Sequence, residues 1–496
     1  MAERSKILSL AALGLTALGA REARITGLSV DSRDVQPGHL FAALPGEKVH
    51  GAQFVTYALR MQAGAILTDR QGAQIANPEM QAVDVPLIVV EDPRQALAYS
   101  AALWFGAQPE TVVAVTGTNG KTSVATFLRQ IWMILGLPAV NLGTTGVEGA
   151  HQAPLAHTTP EPITLHRTLA TIAGAGVSHC AMEASSHGLA QHRLDGVQLA
   201  AAAFTNFSQD HLDYHTSFEE YFAAKMGLFT RVLHPDGVGV VNLDDPRGQE
   251  VADHISERGQ DLISIGRGAT ANLRISGQRY DASGQDLYFT WNERAHQVRL
   301  ELIGGFQAEN VLMAAGLAIA TGSTPADVFA ALPQLLTVRG RMQQAATRAN
   351  GATVFVDYSH TPDAVATALR ALRPHVLGRL IVVLGAGGDR DPGKRVLMGQ
   401  AAAENAELVF VTDDNPRFED PDVIRKMVLA GCPQASEVGD RAEAILRGVD
   451  ALQPGDALLI AGKGHETGQV VGDDVFPFDD AEQASIAVAA LDGLRA

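Results

Sequence analysis

The apolar residues of this chain fall into short runs that are separated by turns rich in glycine, proline and aspartate. Such runs predict buried strands, and the amphipathic stretches between them predict helices. Over the first hundred residues the alternation predicts a small α/β unit, which we end at residue 107, before Gln108-Pro109. Its strands are predicted at 25–30, 40–44, 65–68 and 87–90.

A second unit, residues 108–338, opens with a strand that runs into a glycine turn and a helix at about 122–135. Its next strands are predicted at 177–182, 200–205 and 238–242. The stretch 272–303 alternates polar and apolar residues between turn signals and predicts antiparallel strands, after which a helix is expected at 306–320. We therefore expect a parallel sheet with a small antiparallel β subdomain.

The third unit, residues 339–496, repeats strand, loop and helix. Its apolar strands are predicted at 353–356, 380–384, 408–411 and 457–460. This repeat predicts a doubly wound, Rossmann-like parallel sheet, in which ligands bind at the carboxyl ends of the strands. All four of these ends are polar or glycine-rich, which indicates a built site. The whole chain is thus expected to be an α/β protein of three domains.

The sequence VVAVTGTNGKT, residues 112–122, has the parts of a phosphate-binding loop in their usual order. Gly117 and Gly120 let the backbone turn so that successive N–H groups face an anion. Lys121 can reach the β- and γ-phosphates, and the Thr122 hydroxyl can hold Mg²⁺. Because a valine stands at 115, where the standard spacing needs a glycine, the loop is a shortened variant. It favours a narrower group of ATP users over a generic GTPase, and it makes the central sheet P-loop ATPase-like. The alternative is a glycine turn that binds nothing.

Composition narrows the class of protein. The 496 residues include 38 Lys and Arg against 55 Asp and Glu, and the resulting net charge of −17 argues against a general nucleic-acid-binding surface. The two cysteines, Cys180 and Cys432, lie far apart in apolar surroundings. They predict buried thiols and no disulfide framework.

The apolar run 7–20 allows two interpretations. Basic residues precede it and small residues end it, as in a signal peptide. Alternatively, its apolar residues share one face of a first core helix. The residues on that face would be Ile7, Leu10, Leu13, Ala17 and Leu18. Since secretion would carry an ATP-using enzyme to where ATP is scarce, we expect the core helix and a cytoplasmic protein. The run is too short to span a bilayer, and no membrane span is expected.

Candidate metal ligands follow two strands of the central unit. The strand 177–182 ends in Glu183, and the strand 200–205 leads to His211. A histidine in such a loop is more often a structural, hydrogen-bonded residue. Beside Lys121 and the threonine that follows it, however, a carboxylate and an imidazole at adjacent strand ends indicate Mg²⁺ ligands.

Lys225 lies on an aromatic stripe. Phe218, Phe222, Lys225 and Phe229 are spaced by four, three and four residues and so share one helix face. The lysine should face the core, where an ammonium without a partner is costly. Either the amine reaches the surface past its own stem, or it is chemically modified or bound to a phosphate or an acid.

Arg390 and Arg417 lie in loops at the ends of two C-terminal strands. Two guanidinium groups that converge on a cleft favour a ligand with carboxylates, because arginine binds a carboxylate through a two-pronged fork. The alternative is that Asp389, Asp391 and Asp414 neutralise them in surface loops.

With these residues assembled, the chain resembles the Mur ligases of peptidoglycan synthesis over almost its whole length, and most of all the diaminopimelate-adding type. The matching segments are GTNGKTS (117–123), HTTPE (157–161), MEASSHGLAQHRL (182–194), FTNFSQDHLDYH (204–215), YFAAK (221–225), RGRMQ (339–343), VDYSHTPDA (356–364), GAGGDRDPGKR (385–395), TDDNPR (412–417) and AGKGHE (461–466). The resemblance implies an ATP-dependent ligase that adds meso-2,6-diaminopimelate to the D-glutamate γ-carboxylate of UDP-N-acetylmuramoyl-L-alanyl-D-glutamate through an acyl phosphate. The first domain would hold the uridine end, the second ATP and the third the amino acid.

The resemblance also implies a role for each matching residue. Those that would bind ATP are Gly117, Thr118, Asn119, Gly120, Lys121, Thr122, Ser123, Asn310, Arg341 and Asp357. Those that would bind the UDP-sugar are Ser32, Thr158, Thr159, Ser185, Gln191 and Arg193. Those that would bind the amino acid are Arg390, Asp414, Asn415, Pro416, Arg417, Gly462 and Glu466. Mg²⁺ would lie on Thr122, Glu183, His211 and a carbamylated Lys225, and the catalytic residues would be Lys121, Glu183, His211 and Lys225.

In this family the segment DNPR, here residues 414–417, accompanies diaminopimelate, and lysine-adding relatives carry a different residue at its last position. Diaminopimelate is lysine with one more carboxylate, for which Arg417 and Arg390 supply donors. With lysine bound, one of these donors would have no partner. Sites built around such a hydrogen bond reject an analogue that lacks the matching group by roughly 10⁴-fold.

Other functions stay open at this stage. One is a lysine-adding Mur ligase. Another is a folylpolyglutamate synthetase-like ligase, which should lack the first domain and would have no use for Ser32, Arg193 or the DNPR segment. A P-loop nucleotide switch would hydrolyse ATP without any amino acid, and a non-enzymatic binding module is disfavoured by the many ionisable residues at strand ends. Neither a nucleic acid nor an obligatory protein partner is expected.

Overall fold

The computed structural model describes residues 6–46, 48–208 and 214–493, and its three main sheets follow one another along the chain. The first is a four-stranded parallel sheet in the order β3-β4-β5-β6. The strands of this part are β1 (Leu8–Ser9), β2 (Arg24–Ile25), β3 (Gly27–Ser29), β4 (His39–Ala42), β5 (Ala65–Thr68) and β6 (Leu87–Val89). Its helices are α1 (Val55–Arg60), α2 (Arg70–Met80) and α3 (Pro93–Phe105). Helices α1 and α2 pack on one face of the sheet and α3 on the other.

The run 7–20 does not form the predicted helix. After β1, which pairs with β2, the chain makes two 3₁₀ turns at Ala11–Leu13 and Leu18–Ala20. Gly14 and Gly19 adopt φ of 72° and 70°, a left-handed conformation that ends a right-handed helix. The apolar pattern still determines burial in part, since Leu10, Leu13, Leu15 and Ala17 are buried while Ile7 and Leu18 are exposed.

A ten-stranded sheet forms the middle of the chain, in the order β16-β15-β14-β13-β12-β11-β7-β10-β8-β9. Its strands are β7 (Thr111–Thr116), β8 (Ala139–Gly143), β9 (Gly146–Gly149), β10 (His179–Glu183), β11 (Leu199–Phe204), β12 (Leu233–Asn242), β13 (Leu262–Gly266), β14 (Leu273–Asp281), β15 (Gly284–Trp291) and β16 (Arg294–Leu300). The helices are α4 (Lys121–Ile134), α5 (Pro162–Gly174), α6 (Ser186–Ala190), α7 (Phe218–Gly227), α8 (Gly248–Glu257), α9 (Gln307–Ala320) and α10 (Pro325–Ala331). Helices α4, α9 and α10 cover one face, and α5 to α8 cover the other.

The strand order of this sheet determines which strand ends lie side by side. Strand β7 lies between β10 and β11, and all three are parallel. Their carboxyl ends therefore meet at one edge, as predicted. The antiparallel strands β14 to β16 are also as predicted, and they continue the main sheet because β14 pairs in parallel with β13.

The third sheet has the order β17-β18-β22-β19-β20-β21, and only β17 is antiparallel to its neighbour. The strands of this part are β17 (Gln343–Thr347), β18 (Thr353–Asp357), β19 (Leu380–Leu384), β20 (Leu408–Val411), β21 (Ser436–Glu437), β22 (Ala457–Ala461), β23 (Gly468–Val471) and β24 (Asp474–Pro477). The helices are α11 (Pro362–Leu372), α12 (Gly393–Asn405), α13 (Pro421–Leu429), α14 (Arg441–Asp450) and α15 (Asp480–Leu491). Since α11 to α13 pack on one face and α14 and α15 on the other, the predicted doubly wound sheet is confirmed.

One further prediction concerns the burial of the two cysteines, and another concerns membrane-spanning helices. Both cysteines are buried and free, as expected, and burial raises the pKa of the Cys180 thiol to about 12 and that of Cys432 to about 11. None of the helices in the described part of the chain is both long and apolar enough to cross a bilayer.

His375 joins the third sheet's unit to the antiparallel strands. Its buried ring places Nδ1 2.7 Å from the carbonyl oxygen of Asp281 and Nε2 3.1 Å from the main-chain nitrogen of Gly304. Since a carbonyl only accepts and an N–H only donates, Nδ1 carries the proton and Nε2 is bare. Protonation of Nε2 would remove the bond to Gly304. Burial lowers the pKa of His375, although the bond to the Asp281 carbonyl opposes this effect.

We expect the free energy of unfolding to fall as the pH drops below about 6.5, the usual histidine pKa. A group whose pKa is lowered by folding stabilises the protein above its unfolded pKa and loses that contribution as the pH falls through the folded value. The variant His375→Gln keeps a donor and an acceptor but does not titrate. Its melting temperature should change less between about pH 8 and about pH 5 than that of the wild type. The exposed His234→Gln is the control, and an unaltered pH dependence in His375→Gln would contradict the prediction.

Candidate active site

The phosphate-binding loop lies at the carboxyl end of β7, and its two glycines are required by geometry. Gly117 and Gly120 have φ of 141° and 88°, a region that favours glycine. A Cβ on Gly117 would also lie 1.9 Å from Thr205 Oγ1. Helix α4 then begins at Lys121 without a side-chain cap. Its first-turn N–H groups and positive end therefore point to the loop, as expected for an anion site.

The loop differs from its prediction in one respect. The N–H of Thr118 donates to the Asn206 carbonyl at 2.8 Å, and the N–H of Asn119 donates to Asn206 Oδ1 at 2.9 Å. These two groups do not face an anion, because the segment after β11 holds them. The expectation that successive N–H groups of the loop point to a phosphate is wrong for this pair.

Two lysine ammonium groups meet at one carbonyl of the loop. Lys121 Nζ donates to the carbonyl oxygens of Gly117 and Thr118, each at 2.9 Å, and Lys225 Nζ donates to the same Gly117 oxygen at 2.7 Å. Lys225 is only 1% exposed, and its ammonium also lies 4.4 Å from the ring centroid of Tyr221. The alternative in which this lysine reaches the surface is therefore wrong.

The aromatic stripe around Lys225 is only partly in the core. Phe222 and Phe229 are buried, as predicted, whereas Phe218 at the start of α7 is 38% exposed. The first turn of the helix extends past the edge of the core, so the residue spacing identified the face of the helix but not how far along it the burial reaches.

Glu183 ends β10 beside the loop, and its carboxylate is buried. Glu183 Oε2 accepts hydrogen bonds from the hydroxyls of Thr122 and Thr144 at 3.0 and 3.1 Å, and Oε1 accepts one from the Thr144 N–H at 2.8 Å. His211 lies outside the described residues. Within the described ranges no cluster of three or more His, Cys, Asp or Glu is arranged to hold a metal, but the oxygens of Glu183 and Thr122 are of the kind that Mg²⁺ prefers.

The residues predicted to bind the UDP-sugar surround the same strand end, with one exception. Thr158 Oγ1 lies 3.1 Å from the Thr144 hydroxyl, and the Thr159 hydroxyl donates to the Glu183 carbonyl at 3.0 Å and accepts from the Ser185 N–H at 3.0 Å. Arg193 donates to the Thr159 carbonyl at 2.6 Å and to Gln191 Oε1 at 2.8 Å. Ser32 is the exception. It is buried in a 3₁₀ helix of the first unit and makes no hydrogen bond to this group among the residues that the structure describes.

Arg341 brings the third sheet's unit to the phosphate loop. Its Nη2 donates to Thr122 Oγ1 at 3.2 Å, and its guanidinium lies 4.7 Å from the ring centroid of Tyr358. Burial raises the pKa of Asp357, while bonds from Ser359 and the Met342 N–H and the charge of Arg341 act in the opposite direction. Asn310, from α9, closes the other side of the loop, since a Cβ on Gly120 would lie 2.6 Å from Asn310 Oδ1.

Arg390 and Arg417 lie beside the same glycine. Both flank Gly387, where a Cβ would lie 2.9 Å from Arg417 Nη1 and 3.8 Å from Arg390 Cγ. Arg417 Nη1 donates to the Gly388 carbonyl at 2.7 Å, and the pairing of its main chain with Val470 positions the side chain. Neither arginine forms an ion pair with an aspartate among the residues the structure describes, so the alternative in which aspartates neutralise them is wrong.

The loops after β20 and β22 form the rest of this group. Asn415 Nδ2 donates to Glu466 Oε2 at 2.9 Å, and Asp414 lies so close to Gly462 that a Cβ there would be 2.6 Å from Asp414 Oδ2. Gly462 also has a φ of 117°. Pro416 is buried, and its carbonyl oxygen lies so close to Gly388 that a Cβ there would be 1.9 Å away. The four strand ends that the sequence singled out therefore do lie side by side.

Sequence reasoning missed two residues beside the candidate site and one that joins the first unit to the second. Thr144 makes two of the hydrogen bonds to Glu183, and Lys463 is a fully buried lysine under the Asn415–Glu466 pair. Asp195 accepts hydrogen bonds from Gln95 of the first unit and from Arg231. Only Lys463 had a signal in the sequence, because it is a charged residue within a glycine-rich strand end.

A buried ion pair holds the ends of two strands together. Arg441 and Asp480 are both fully buried, and Arg441 donates through Nε and Nη2 to the two oxygens of Asp480, each at 2.7 Å. Nη2 also donates to the Ala461 carbonyl at 3.0 Å and Nη1 to the Asp413 carbonyl at 3.3 Å. The guanidinium therefore joins the ends of β20 and β22.

Asp480→Asn would leave the guanidinium of Arg441 buried without its counter-charge. Removal of one partner of such a pair costs about 3–5 kcal/mol in the free energy of unfolding. The exposed pair Glu443–Arg447 on α14 supplies the control, since Glu443→Gln should cost only about 0–1 kcal/mol. Urea unfolding of the two variants measures the difference. Equal losses would show that Asp480 does not stabilise the strand ends in this way.

Family models match three consecutive parts of the chain. They are the Mur ligase family catalytic domain at residues 24–104, the Mur ligase middle domain at 115–318 and the Mur ligase glutamate ligase domain at 340–464. The chain belongs to the Mur ligase family.

Curated relatives give a more specific similarity than the family models. The chain is 49% identical to the UDP-N-acetylmuramoyl-L-alanyl-D-glutamate–2,6-diaminopimelate ligase of Bradyrhizobium diazoefficiens, over 94% of this chain and 95% of that protein. It is 46% identical to the ligase of the same name from Brucella melitensis, over 95% of each. A solved structure of a ligase of this name covers 94% of this chain and 95% of its own, with 33% identity and a TM-score of 0.68. A Mycobacterium tuberculosis folylpolyglutamate synthase with ADP shares the fold at 19% identity, with a TM-score of 0.63, over 75% of this chain and 92% of its own.

Proposed function

We propose that this protein is an ATP-dependent ligase that joins meso-2,6-diaminopimelate to the D-glutamate γ-carboxylate of UDP-N-acetylmuramoyl-L-alanyl-D-glutamate, in peptidoglycan precursor synthesis. The 49% identity with a curated ligase of that reaction supports the proposal. So does the match to a Mur ligase model at residues 24–104, the unit that a folylpolyglutamate synthetase-like ligase should lack.

One observation carries the proposal most directly. Arg417 and Arg390 flank Gly387 at a strand edge that Arg341 joins to the phosphate loop. Arg417 keeps Nε and Nη2 without a hydrogen bond to any described residue, so a planar fork is available for a carboxylate. A free arginine fork here suits the additional carboxylate of diaminopimelate, which lysine lacks.

The chemistry takes two steps. The γ-carboxylate oxygen attacks the γ-phosphorus of ATP, and ADP leaves. The amine of diaminopimelate then attacks the acyl carbon, phosphate leaves and the amine nitrogen loses a proton. Lys121 and the first turn of α4 supply positive charge where the phosphoryl group is transferred, and Arg341 supplies it from the third unit. Asn310 and Asp357 are proposed to contact the base and the ribose of ATP.

Thr122 and Glu183 are proposed to hold Mg²⁺, which neutralises phosphate charge when it is bound. The proposal rests on their oxygen atoms, which already lie 3.0 Å apart. Lys225 is proposed to be carbamylated. Its neutral amine attacks carbon dioxide, an N–C bond forms, and a proton leaves. Because Lys225 donates to the same carbonyl oxygen as Lys121, its carbamate would bring a negative charge to the site of phosphoryl transfer.

The UDP-sugar is proposed to lie along Thr158, Thr159, Ser185, Gln191 and Arg193, with Ser32 at its uridine end in the first domain. The proposed domains are 1–107, 108–338 and 339–496, and the need for ATP supports a cytoplasmic location. Burial lowers the pKa of Arg193, and the neighbouring charge of Arg94 adds to the effect. An anionic phosphate bound at Arg193 would therefore stabilise the charged guanidinium.

Diaminopimelate and L-lysine, offered separately with ATP, Mg²⁺ and the UDP-linked dipeptide, test the specificity. We expect the wild type to prefer diaminopimelate by roughly 10⁴-fold in kcat/KM, and Arg417→Met to lose most of that preference. Arg370→Met, exposed on α11, is the matched control. Equal turnover of the two amino acids by the wild type would refute the role of Arg417.

Carbamylation of Lys225 leads to a second prediction. Lys225→Ala should lower kcat by at least about 100-fold, because a charge in the phosphoryl-transfer site is lost. Removal of bicarbonate should slow the wild type and leave Lys225→Ala unaffected, while Lys426→Ala, exposed on α13, should behave as the wild type. A wild type that keeps full activity without bicarbonate contradicts carbamylation.

ADP release separates the ligase from a nucleotide switch. The ligase releases ADP at a substantial rate only when the UDP-linked dipeptide and the amino acid are both present. Steady ATP hydrolysis by the protein alone would favour the switch.

A further inference from the structure

The proposed function assigns no role to the charged residue Lys463. It lies two residues after the end of β22, and its side chain is fully buried. Its Nζ donates to Asn415 Oδ1 at 3.0 Å, to Glu466 Oε2 at 3.1 Å and to the Gly468 carbonyl at 2.5 Å. An ammonium has three N–H donors, so all of them are used inside the protein. Burial of this charge is costly without such partners, and the three bonds account for its place in the core.

The partners of Lys463 belong to two different strand ends. Asn415 comes from the loop after β20, and its Nδ2 donates to the same Glu466 Oε2 at 2.9 Å. Asn415 Oδ1 also accepts a hydrogen bond from the Val470 N–H at 2.9 Å. Lys463 is thus the point at which the loops after β20 and β22 are held at one spacing.

The same bonds determine which part of Glu466 is available. Its Oε2 takes the bonds from Lys463 and Asn415, whereas Oε1 accepts none from any residue the structure describes. About a third of the Glu466 side chain is exposed. The carboxylate is therefore anchored by one oxygen, and the other can accept a hydrogen bond from an ammonium group.

Lys463 also supports the strand that carries Arg417. It binds the carbonyl of Gly468 at the start of β23, and two residues along this strand the Val470 carbonyl accepts the Arg417 N–H at 3.1 Å. The Gly472 N–H in turn donates to the Arg417 carbonyl at 2.7 Å. The fork for the carboxylate and the acceptor for the ammonium thus rest on one buried cation.

We propose that Lys463 is the positioning residue of the amino-acid site, which holds Asn415 and Glu466 so that Glu466 Oε1 receives an ammonium group of the incoming diamino acid. This inference rests on the proposed function and adds a residue to it. Lys463 does not touch the substrate, because its three donors are taken. Its effect passes through Glu466 and therefore concerns the binding of the amino acid and not the transfer of phosphate.

The test is Lys463→Met, which keeps the length and the apolar stem but removes the charge and the donors. We expect the KM for meso-diaminopimelate to rise about 10- to 100-fold, as for the loss of hydrogen bonds to a charged group. The KM values for ATP and for the UDP-linked dipeptide, and kcat at saturating diaminopimelate, should stay within about threefold of the wild type. Lys426→Met makes the same substitution at an exposed position of the same unit and should change none of these values.

Lys463→Gln serves as the second variant, since an amide keeps two donors and no charge. It should fold more readily and show a smaller rise in the same KM. If both variants keep the wild-type KM for diaminopimelate, lose kcat alone, or unfold at the assay temperature, the positioning role is refuted while the proposed function stands. A wild type that does not turn over diaminopimelate refutes the proposed function itself, whatever the variants do.

Discussion

The hydrogen bond from Arg341 to Thr122 joins two sites that the chain builds separately. Thr122 Oγ1 accepts from Arg341 and donates to Glu183, so one hydroxyl connects the third sheet's unit, the phosphate loop and the neighbouring strand end. A parallel sheet presents its ligand-binding loops at one edge only. A reaction between a nucleotide on one sheet and an amino acid on another therefore requires the two edges to meet, and Arg341 lies at that meeting point.

Buried charge is the second constraint, and the structure meets it in three ways. Lys225 donates to the main-chain carbonyl of Gly117, Arg441 has a carboxylate partner, and Lys463 has three acceptors. In each case the cation joins segments that are distant in sequence, because a buried charge is tolerated only where several acceptors surround it. The energetic need for partners thereby fixes the relative positions of the loops that form the site.

Much of the architecture could be predicted from the chain because strand and helix periods are local properties. The strands 65–68, 380–384 and 408–411 have the predicted bounds, and the antiparallel strands follow their alternating pattern. The run 7–20 failed because an apolar face is also compatible with 3₁₀ turns, and Gly14 and Gly19 favour these. Asn206 could not be foreseen as the partner of Thr118 and Asn119, because it comes from a neighbouring strand end far along the chain.

The sequence by itself determined the phosphate loop, the alternation of strands and helices, and the polar strand ends from which Arg390 and Arg417 were singled out. These depend on spacing within a few residues. The tertiary structure alone decided that β22 lies between β18 and β19, which brings Glu466 beside Asn415 and encloses Lys463. Strand order and the partners of buried charges depend on contacts between segments far apart in the chain, and such contacts leave no periodic pattern in the sequence.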